Sequence, residues 1–576
     1  MDGPPPAVPA KPGRLVGNAL LYAISIFASL GVFLFGYDQG VMSGIITGPY
    51  FQAYFALTKF QLGTVVAILE IGALITSLAA GRVGDVIGRR LTLFWGAFVF
   101  TIGGVIQSFT IGVEMMIVGR LISGFGVGLL STIVPIYQSE ISPPNHRGAL
   151  ACMEFTGNIF GYAFSVWTDY ACSFIDSDYS WRLPLFIQCI IGGILAGGSL
   201  LMPETPRWLI DTDRDDEGMR VLADLHGGDP NNPVALDEYQ EIKDRVMAER
   251  DSGEARSYAV MWRKYKKRVL LAMSSQAFAQ LNGINGMFFR MRRTCALTVA
   301  LSESYFILCP SRFRRFVYLN NLYSNDTKTI PTEAGWVGRD AILMAGINAL
   351  IYLLSTVPTW FLVDRWGRRA ILMSGGVVMA IALMMTGWWM YIDVPNTPRA
   401  VVFCVIVYNA FFGYSWGPIP WLYPPEIMPL AVRAKGVSLS TATNWAFNFL
   451  VGESTPVLQA AIRWRLYPLL GFFCTCSFIL VYYLYPETMG VPLEEMDAVF
   501  GEEERIEQEE EMEEEELERL ALLSGRRRTL SLPFSHNYGA IPKPATTTPS
   551  AGPPPLPRSI SWHGERQPLN RNDDDE

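Results

Sequence analysis

The sequence predicts an all-α polytopic membrane protein built as two repeated bundles of six helices. Half of its 576 residues are apolar and only 17% are charged, whereas soluble proteins usually carry about a quarter charged residues. Apolar runs near the length that crosses the hydrocarbon core, about 20 residues of helix, recur twelve times. Short charged motifs are repeated between the two halves of the chain. These three observations predict a duplicated membrane domain.

Twelve membrane spans are predicted, six on each side of a polar stretch. They lie at 20–46, 61–81, 91–112, 115–137, 149–170, 183–202, 269–289, 337–362, 370–392, 399–424, 434–456 and 465–485. The predicted domains are an N-terminal tail (1–18), a first bundle (19–202), a helical polar loop (203–268), a second bundle (269–485) and an acidic C-terminal tail (486–576). Loop Lys and Arg residues favour one side by nine to five, which places both termini in the cytoplasm.

Three pairs of motifs recur at nearly the same offset. "GDVIGRR" (84–90) matches "VDRWGRR" (363–369), "EISPPNHRG" matches "EIMPLAVRAKG", and "PETP" matches "PETM". Parallel six-span repeats with a site between them are the plan of a rocking transporter. Each aspartate can sit at a helix N-terminus, and each arginine pair can bridge to glutamates. We predict a network that closes the cytoplasmic face in one state, formed by Asp85, Arg89, Arg90, Glu140, Arg147, Glu204, Asp364, Arg368, Arg369, Glu426, Arg433 and Glu487.

The chain resembles the sugar porter family of the major facilitator superfamily, most of all its fungal hexose and monosaccharide transporters. The residues that carry this resemblance are "FGYDQGVMSG" (35–44), "GRVGDVIGRR" (81–90), "GRLISGFGVG" (119–128), "PETPRWL" (203–209), "QLNGIN" (280–285), "DRWGRR" (364–369), "GPIPWLYPPEIMPLAVRAKG" (417–436), "NWAFN" (444–448) and "PETMGVPLEEMD" (486–497). The resemblance implies the twelve-helix major facilitator fold, alternating access and a monosaccharide substrate. A hexose is expected, and a pentose or a polyol stays open.

The family's sugar site lies between the two halves and is lined by amides and aromatic rings. Amides donate and accept hydrogen bonds, as sugar hydroxyls require, and aromatic faces cover the apolar side of a sugar ring. The resemblance implies that the substrate-binding residues are Gln276, Gln280, Asn285, Trp421, Asn444, Trp445 and Asn448. Two family positions differ: Phe155 replaces a glutamine, with Glu154, Asn158 and Tyr162 nearby, and Tyr352 replaces an asparagine, for which Asn348 is the expected substitute.

Asp38 and Arg120 are charged residues inside predicted spans. Such charges are costly unless paired and are usually functional. They match the aspartate and arginine that form the proton switch of proton-coupled relatives, so the resemblance implies that protons are a second ligand. Some facilitative relatives also keep the aspartate, and symport and facilitated diffusion therefore both stay open.

The C-terminal tail carries twelve glutamates between Glu502 and Glu518. "ERLALL" (518–523) fits an acidic dileucine sorting signal, "YGAI" (538–541) fits a tyrosine-based one, and "RRRTLS" (526–531) fits a kinase site, where phosphorylation would add charge. Sorting adaptors and a kinase are therefore the expected partners of this tail. The plasma membrane and a vacuolar or endosomal membrane both stay open as locations, and a monomer is expected.

Residues 286–333 break the pattern of the seventh span. Arg290, Arg292 and Arg293 stand where the outer half of a membrane helix should continue. Codons for the tripeptide at 286–288 can contain GTATGT, a typical fungal splice-donor string. The favoured hypothesis is a retained intron in the gene model, and the alternative is an extracytoplasmic insertion.

No motif in the sequence supports catalysis. There is no phosphate loop, no nucleophile elbow and no cluster of His or Cys at ligand spacing. We therefore expect no enzyme activity, no cofactor, no metal and no nucleic-acid partner, and the surrounding partner is the lipid bilayer. Two alternatives to transport stay open: a transporter-like nutrient sensor that signals through its tail, and a transport-impaired product of a mis-spliced gene model.

Overall fold

The computed structural model describes residues 15–46, 48–142, 147–251, 258–284, 339–392, 397–429, 432–491 and 496–500, and the regular elements in these ranges are all helices. The first bundle and the segment that follows it contain α1 (Asn18–Ile45), α2 (Pro49–Phe55), α3 (Lys59–Ile87), α4 (Arg89–Ser108), α5 (Val113–Ile141), α6 (Arg147–Cys172), α7 (Tyr179–Ser199), α8 (Pro206–Asp211), α9 (Asp215–Leu225), α10 (Pro233–Asp251) and α11 (Tyr258–Lys264). The second bundle contains α12 (Lys266–Leu281), α13 (Arg339–Trp366), α14 (Arg368–Ile392), α15 (Thr397–Tyr414), α16 (Ile419–Ile427), α17 (Arg433–Ile462) and α18 (Leu466–Leu484), and α19 (Met496–Val499) follows it.

Every predicted span overlaps a helix. Within the described ranges, nine stretches are long and apolar enough to cross a membrane. The predicted fifth, seventh and eleventh spans fall on α6, α12 and α17, which are not among those nine. The described part of α12 has only 16 residues, and α6 and α17 carry more polar side chains. The described residues therefore form a polytopic helical membrane protein.

The predicted tenth span is divided between two helices in the structure. Residues 399–424 were expected to be continuous, but α15 ends at Tyr414 and α16 begins at Ile419. Gly417 and Pro418 lie in this gap, and proline interrupts a helix because it lacks a backbone N–H and clashes with the preceding turn. The break leaves Trp416 and Trp421 on the interior of the bundle, beside the site described below.

Close packing inside the first bundle depends on a stripe of glycines on α1. A Cβ atom added at Gly36, Gly40 or Gly44 would lie 1.9 Å from the Asn158 carbonyl oxygen, 2.0 Å from the Ser165 hydroxyl and 2.1 Å from the Asp169 carboxylate, respectively. Small residues four apart allow membrane helices to approach this closely. The stripe therefore fixes the position of α6 against α1.

The described residues of the polar stretch at 203–268 form α8 to α11 and the start of α12. Buried Ile210, Leu222 and Ile242 pack together there in a small separate core. Hydrogen bonds join this segment to the bundle end that carries the repeated charged motifs: the Trp208 indole donates to the Asp85 carbonyl over 2.9 Å. We call this end of the bundle, marked by Asp85 and Asp364, the charged face.

Candidate functional site

A central cavity with about 540 Å³ of empty volume lies between the two halves. α1 and α6 supply the wall from the first half, and α12, α13, α16 and α17 supply most of the wall from the second. Small-molecule sites usually combine apolar and aromatic walls with a few polar groups, and the walls of this cavity have both. The side chains that line the cavity and carry polar groups are Gln39, Asn158, Tyr162, Gln280, Tyr352, Trp416, Trp421 and Asn444.

The amide pair of Gln280 and Asn444 forms the polar centre of the second-half wall. The Gln280 side-chain N–H₂ donates to the Asn444 Oδ1 atom over 2.7 Å. The Asn444 Nδ2 atom is buried without a hydrogen-bond acceptor among the described residues. A buried amide donor costs free energy until it finds a partner, and a sugar hydroxyl entering the cavity would supply one.

Four other predicted binding residues form contacts away from the cavity wall. The Gln276 amide donates to the Pro420 carbonyl over 2.7 Å, and Asn348 accepts a hydrogen bond from Asn409 over 3.0 Å. The Trp445 indole donates to the Ser131 hydroxyl over 3.2 Å and so joins the two halves. Asn448 is buried but is not among the cavity-lining residues, and Asn285 lies outside the described residues.

Several lining residues were not predicted as binding residues. Gln39 follows the aspartate in "FGYDQG", and its place in that motif was the available signal. Tyr352, rather than Asn348, lines the cavity. The Phe155 ring packs on Gly417, where an added Cβ would lie 2.6 Å from the ring. An aromatic ring thus fills the place of the family's span-five glutamine.

Asp38 and Arg120 form a buried ion pair within the first half. The Arg120 Nη1 atom lies 3.0 Å from Asp38 Oδ1 and 2.9 Å from Oδ2. The other guanidinium nitrogens of Arg120 donate to the carbonyls of Val65 and Val66 on α3. The side chains of Arg120 and Asp38 are 3% and 0% exposed, respectively. Breaking a buried pair leaves an uncompensated charge, so a change at Asp38 would release Arg120 from α1 and leave its hydrogen bonds to α3.

The charged face carries an arginine–glutamate network in the first half. Arg89 binds Glu140 through two parallel hydrogen bonds, of 3.1 and 2.9 Å. Glu204 instead accepts the backbone N–H groups of Arg89 and Arg90, at 3.0 and 3.1 Å. Burial raises the pKa of the Glu204 carboxyl, and its backbone hydrogen bonds oppose that shift. The network therefore joins α4 to α5 and to the segment before α8.

The second half repeats this network with the same roles. Arg368 binds Glu426 through hydrogen bonds of 3.1 and 2.6 Å. Glu487 accepts the backbone N–H groups of Arg368 and Arg369, at 2.8 and 3.0 Å. Arg433 donates to the carbonyl of Met428. The side chain of Arg147, which completes the predicted set, lies outside what the structure describes.

The two motif aspartates connect the halves across the charged face. Asp85 lies 2.8 Å from the Lys435 ammonium group in the first turn of α17. Asp364 accepts the backbone N–H of Ala149, in the first turn of α6, over 3.1 Å. Asp364 thus caps the N-terminal turn of a helix from the opposite half, where the helix dipole favours negative charge, whereas Asp85 binds its helix through the side chain of Lys435. The charged face is closed in this structure.

Two similar bundles around a polar cavity, closed at one end by charges, have the architecture of a membrane transporter. A sequence model described as "Sugar (and other) transporter" matches residues 24–304 and 321–500. The chain belongs to this family, within the major facilitator superfamily. The residues between the two matched ranges, 305–320, fall inside the anomalous stretch at 286–333.

Three of the proteins that this chain resembles are named as transporters. The MFS-type transporter criB of Aspergillus cristatus is 30% identical over 85% of this chain and 96% of its own length. The MFS glucose transporter mfs1 of Aspergillus flavus is 31% identical over 83% and 89%. A solved structure of XylE, titled a proton:xylose symporter, is 25% identical and superposes with a TM-score of 0.68 over 84% of this chain and 99% of its own.

Proposed function

We propose that the protein carries a neutral monosaccharide across the membrane by alternating access. The observation that carries this proposal is the central cavity between the halves, which an amide pair and two tryptophans line. Gln280, Asn444 and Trp421 are the proposed substrate contacts, and Gln276, Trp445, Asn448 and Asn348 hold the helices that present them. Asn285 remains a proposed contact from the resemblance alone.

The closed charged face is the proposed cytoplasmic gate. Lys and Arg residues are more numerous in the loops on this side than in the loops on the other, which favours a cytoplasmic position. For the sugar to leave on that side, the contacts Asp85–Lys435 and Asp364–Ala149 must break, while the arginine–glutamate pairs can stay intact within each half. This arrangement suits a rocking motion of two rigid bundles.

Coupling to protons is proposed through Asp38 and Arg120. Protonating Asp38 would remove the charge that holds Arg120, and the carbonyls of Val65 and Val66 on α3 would then be its remaining partners. Because α3 packs against α17 of the other half, a shift of Arg120 reaches the interface between the halves. XylE, whose title names it a proton:xylose symporter, supports this assignment.

The first test is growth and uptake in cells that lack their own sugar transporters. We expect saturable uptake of at least one neutral sugar among glucose, fructose, xylose, galactose and inositol. A sensor is the competing function, because the high glucose sensor RGT2 of Saccharomyces cerevisiae is 28% identical over 85% of this chain and 62% of its own length. A sugar-dependent signalling defect in the deletion strain that a transport-dead variant restores would favour sensing over transport.

A further inference from the structure

Glu70 is a carboxyl inside α3 whose Oε2 atom is buried without a hydrogen-bond donor among the described residues. It lies one helical turn after Val66, whose backbone carbonyl accepts a hydrogen bond of 3.3 Å from the Arg120 guanidinium. Helical side chains lean toward the N-terminal end of their helix, so the Glu70 carboxyl leans toward the turn that Arg120 contacts. The two groups attract each other through space. Glu70 is therefore a second carboxyl, besides Asp38, in reach of the charge of Arg120.

The Glu70 carboxyl also lies on the contact between the two halves. A Cβ atom added at Gly452 of α17 would lie 3.8 Å from Glu70 Oε2. One added at Gly63 of α3 would lie 3.7 Å from the Oε1 atom of Glu453, an exposed residue that repels Glu70 through space. As an anion, Glu70 would face this carboxylate with a buried oxygen that lacks a donor, which is a costly arrangement. A proton on Glu70 removes that cost.

Arg120 has the opposite difficulty when Asp38 takes up a proton. Its guanidinium would then keep only the backbone carbonyls of α3 as partners, and an uncompensated buried charge is strongly destabilising. If Glu70 gives up its proton in the same step, it supplies the missing negative charge. The summed charge of Asp38, Arg120 and Glu70 is then the same before and after the step.

We propose that Glu70 is a further proton-coupling residue and the second anionic partner of Arg120. In one state Arg120 binds Asp38, as in this structure, and Glu70 carries the proton. In the other state the O–H bond at Glu70 has broken, an O–H bond has formed at Asp38, and Arg120 binds Glu70. Because α3 packs on α17, this exchange changes the charge at the contact between the halves. The inference rests on the proposed proton-coupled transport.

The first test detects the proton by infrared spectroscopy of the purified full chain at neutral pH. A protonated carboxyl has a carbonyl stretching band that a carboxylate lacks. The native chain should show such a band that Glu70→Gln removes. Asp38→Asn, which mimics protonated Asp38, should remove the same band, because Arg120 then moves to Glu70 and stabilises its anion. Glu114→Gln is the matched control, since Glu114 is an exposed carboxyl on the helix that carries Arg120, and it should keep the band.

The second test is the pH dependence of uphill sugar uptake in liposomes. In Glu70→Gln, protonation of Asp38 leaves Arg120 uncompensated, so half-maximal uptake should require at least about tenfold more protons. Glu453→Gln should shift the requirement in the opposite direction by about twofold, because an exposed carboxylate that repels Glu70 is lost. Glu70→Asp keeps a carboxyl and should stay closer to the native value than Glu70→Gln. If Glu70→Gln does not fold, Glu70→Asp identifies the infrared band by shifting its frequency.

Three results would overturn the proposal. The first is an infrared spectrum in which Glu70→Gln removes no protonated-carboxyl band. The second is a Glu70 band that persists in Asp38→Asn, and the third is an unchanged proton requirement in Glu70→Gln. The infrared measurements need no sugar, so they separate failure of this inference from failure of the proposed transport, which would appear as absence of sugar flux in the native chain.

Discussion

The contact between Asp85 and Lys435 is the most direct way to weaken closure of the charged face. The substitution Lys435→Met keeps the length of the side chain and removes its charge. Asp85 keeps a cationic partner, because the Arg89 guanidinium remains 3.5 Å away. Lys435 is 8% exposed and Asp85 32%, so the pair is partly shielded. Partly exposed pairs contribute about 1 kcal/mol, which corresponds to a roughly fivefold larger population opened at this face.

The opened population can be measured by labelling a thiol in the cavity that Pro135, Trp421 and Glu426 line. Ser139 lines that cavity and is 8% exposed, and the Ser139→Cys thiol should react slowly with a membrane-impermeant maleimide added on the charged-face side. Adding Lys435→Met should raise this rate about fivefold. The matched control is Arg214→Met, which breaks an ion pair whose members are 48% and 50% exposed, and it should leave the rate unchanged. An equal rate with and without Lys435→Met would refute the account of closure.

Four further predictions follow from the same contacts. Asp38→Asn should abolish uphill sugar uptake and leave exchange intact, and full accumulation of labelled sugar by this variant would contradict the coupling role. Gln280→Ala should raise the KM for transport about tenfold, since it removes a hydrogen-bonding amide from the cavity wall; an unchanged KM would exclude it from the site. Gly40→Val should prevent stable expression, because the added side chain meets α6 at 2.0 Å, and normal yield with normal thermal stability would contradict the packing. Transcripts should be spliced across the region that encodes 286–333, whereas a mass-spectrometric peptide from 294–312 would contradict the retained intron.

The sequence predicted the helices well because apolar runs mark the hydrocarbon core. It placed their ends less well: the second span was predicted at 61–81, whereas α3 runs from Lys59 to Ile87. A helix continues past the apolar segment as long as its backbone hydrogen bonds are made, and composition alone does not show where that stops. In the structure Arg89 binds Glu140 and Arg368 binds Glu426, which are two of the pairs that the duplicated motifs allow.

The sequence did not show which groups bind each other within the charged face. Glu204 and Glu487 bind backbone N–H groups rather than guanidinium groups. Because almost every residue type has a backbone N–H, the sequence does not show which of them a glutamate binds. Lys435, the partner of Asp85, was counted only as a loop charge. In the same way, spacing could not show that Tyr352 lines the cavity while Asn348 bonds to Asn409, because a difference of one helical turn depends on how α13 is rotated.

The most direct test of alternating access at the central cavity is sugar counterflow through the purified chain in liposomes, with and without an inward proton gradient. The account predicts saturable counterflow of at least one neutral sugar by the full chain or by the chain without 286–333. In liposomes that start without internal sugar, it predicts uphill accumulation only when the proton gradient is present. In the counterflow assay, it predicts loss of exchange in the double variant Gln280→Ala and Asn444→Ala. The account is contradicted if both versions of the chain fold but give no more sugar flux than protein-free liposomes. It is also contradicted if the double variant keeps full flux.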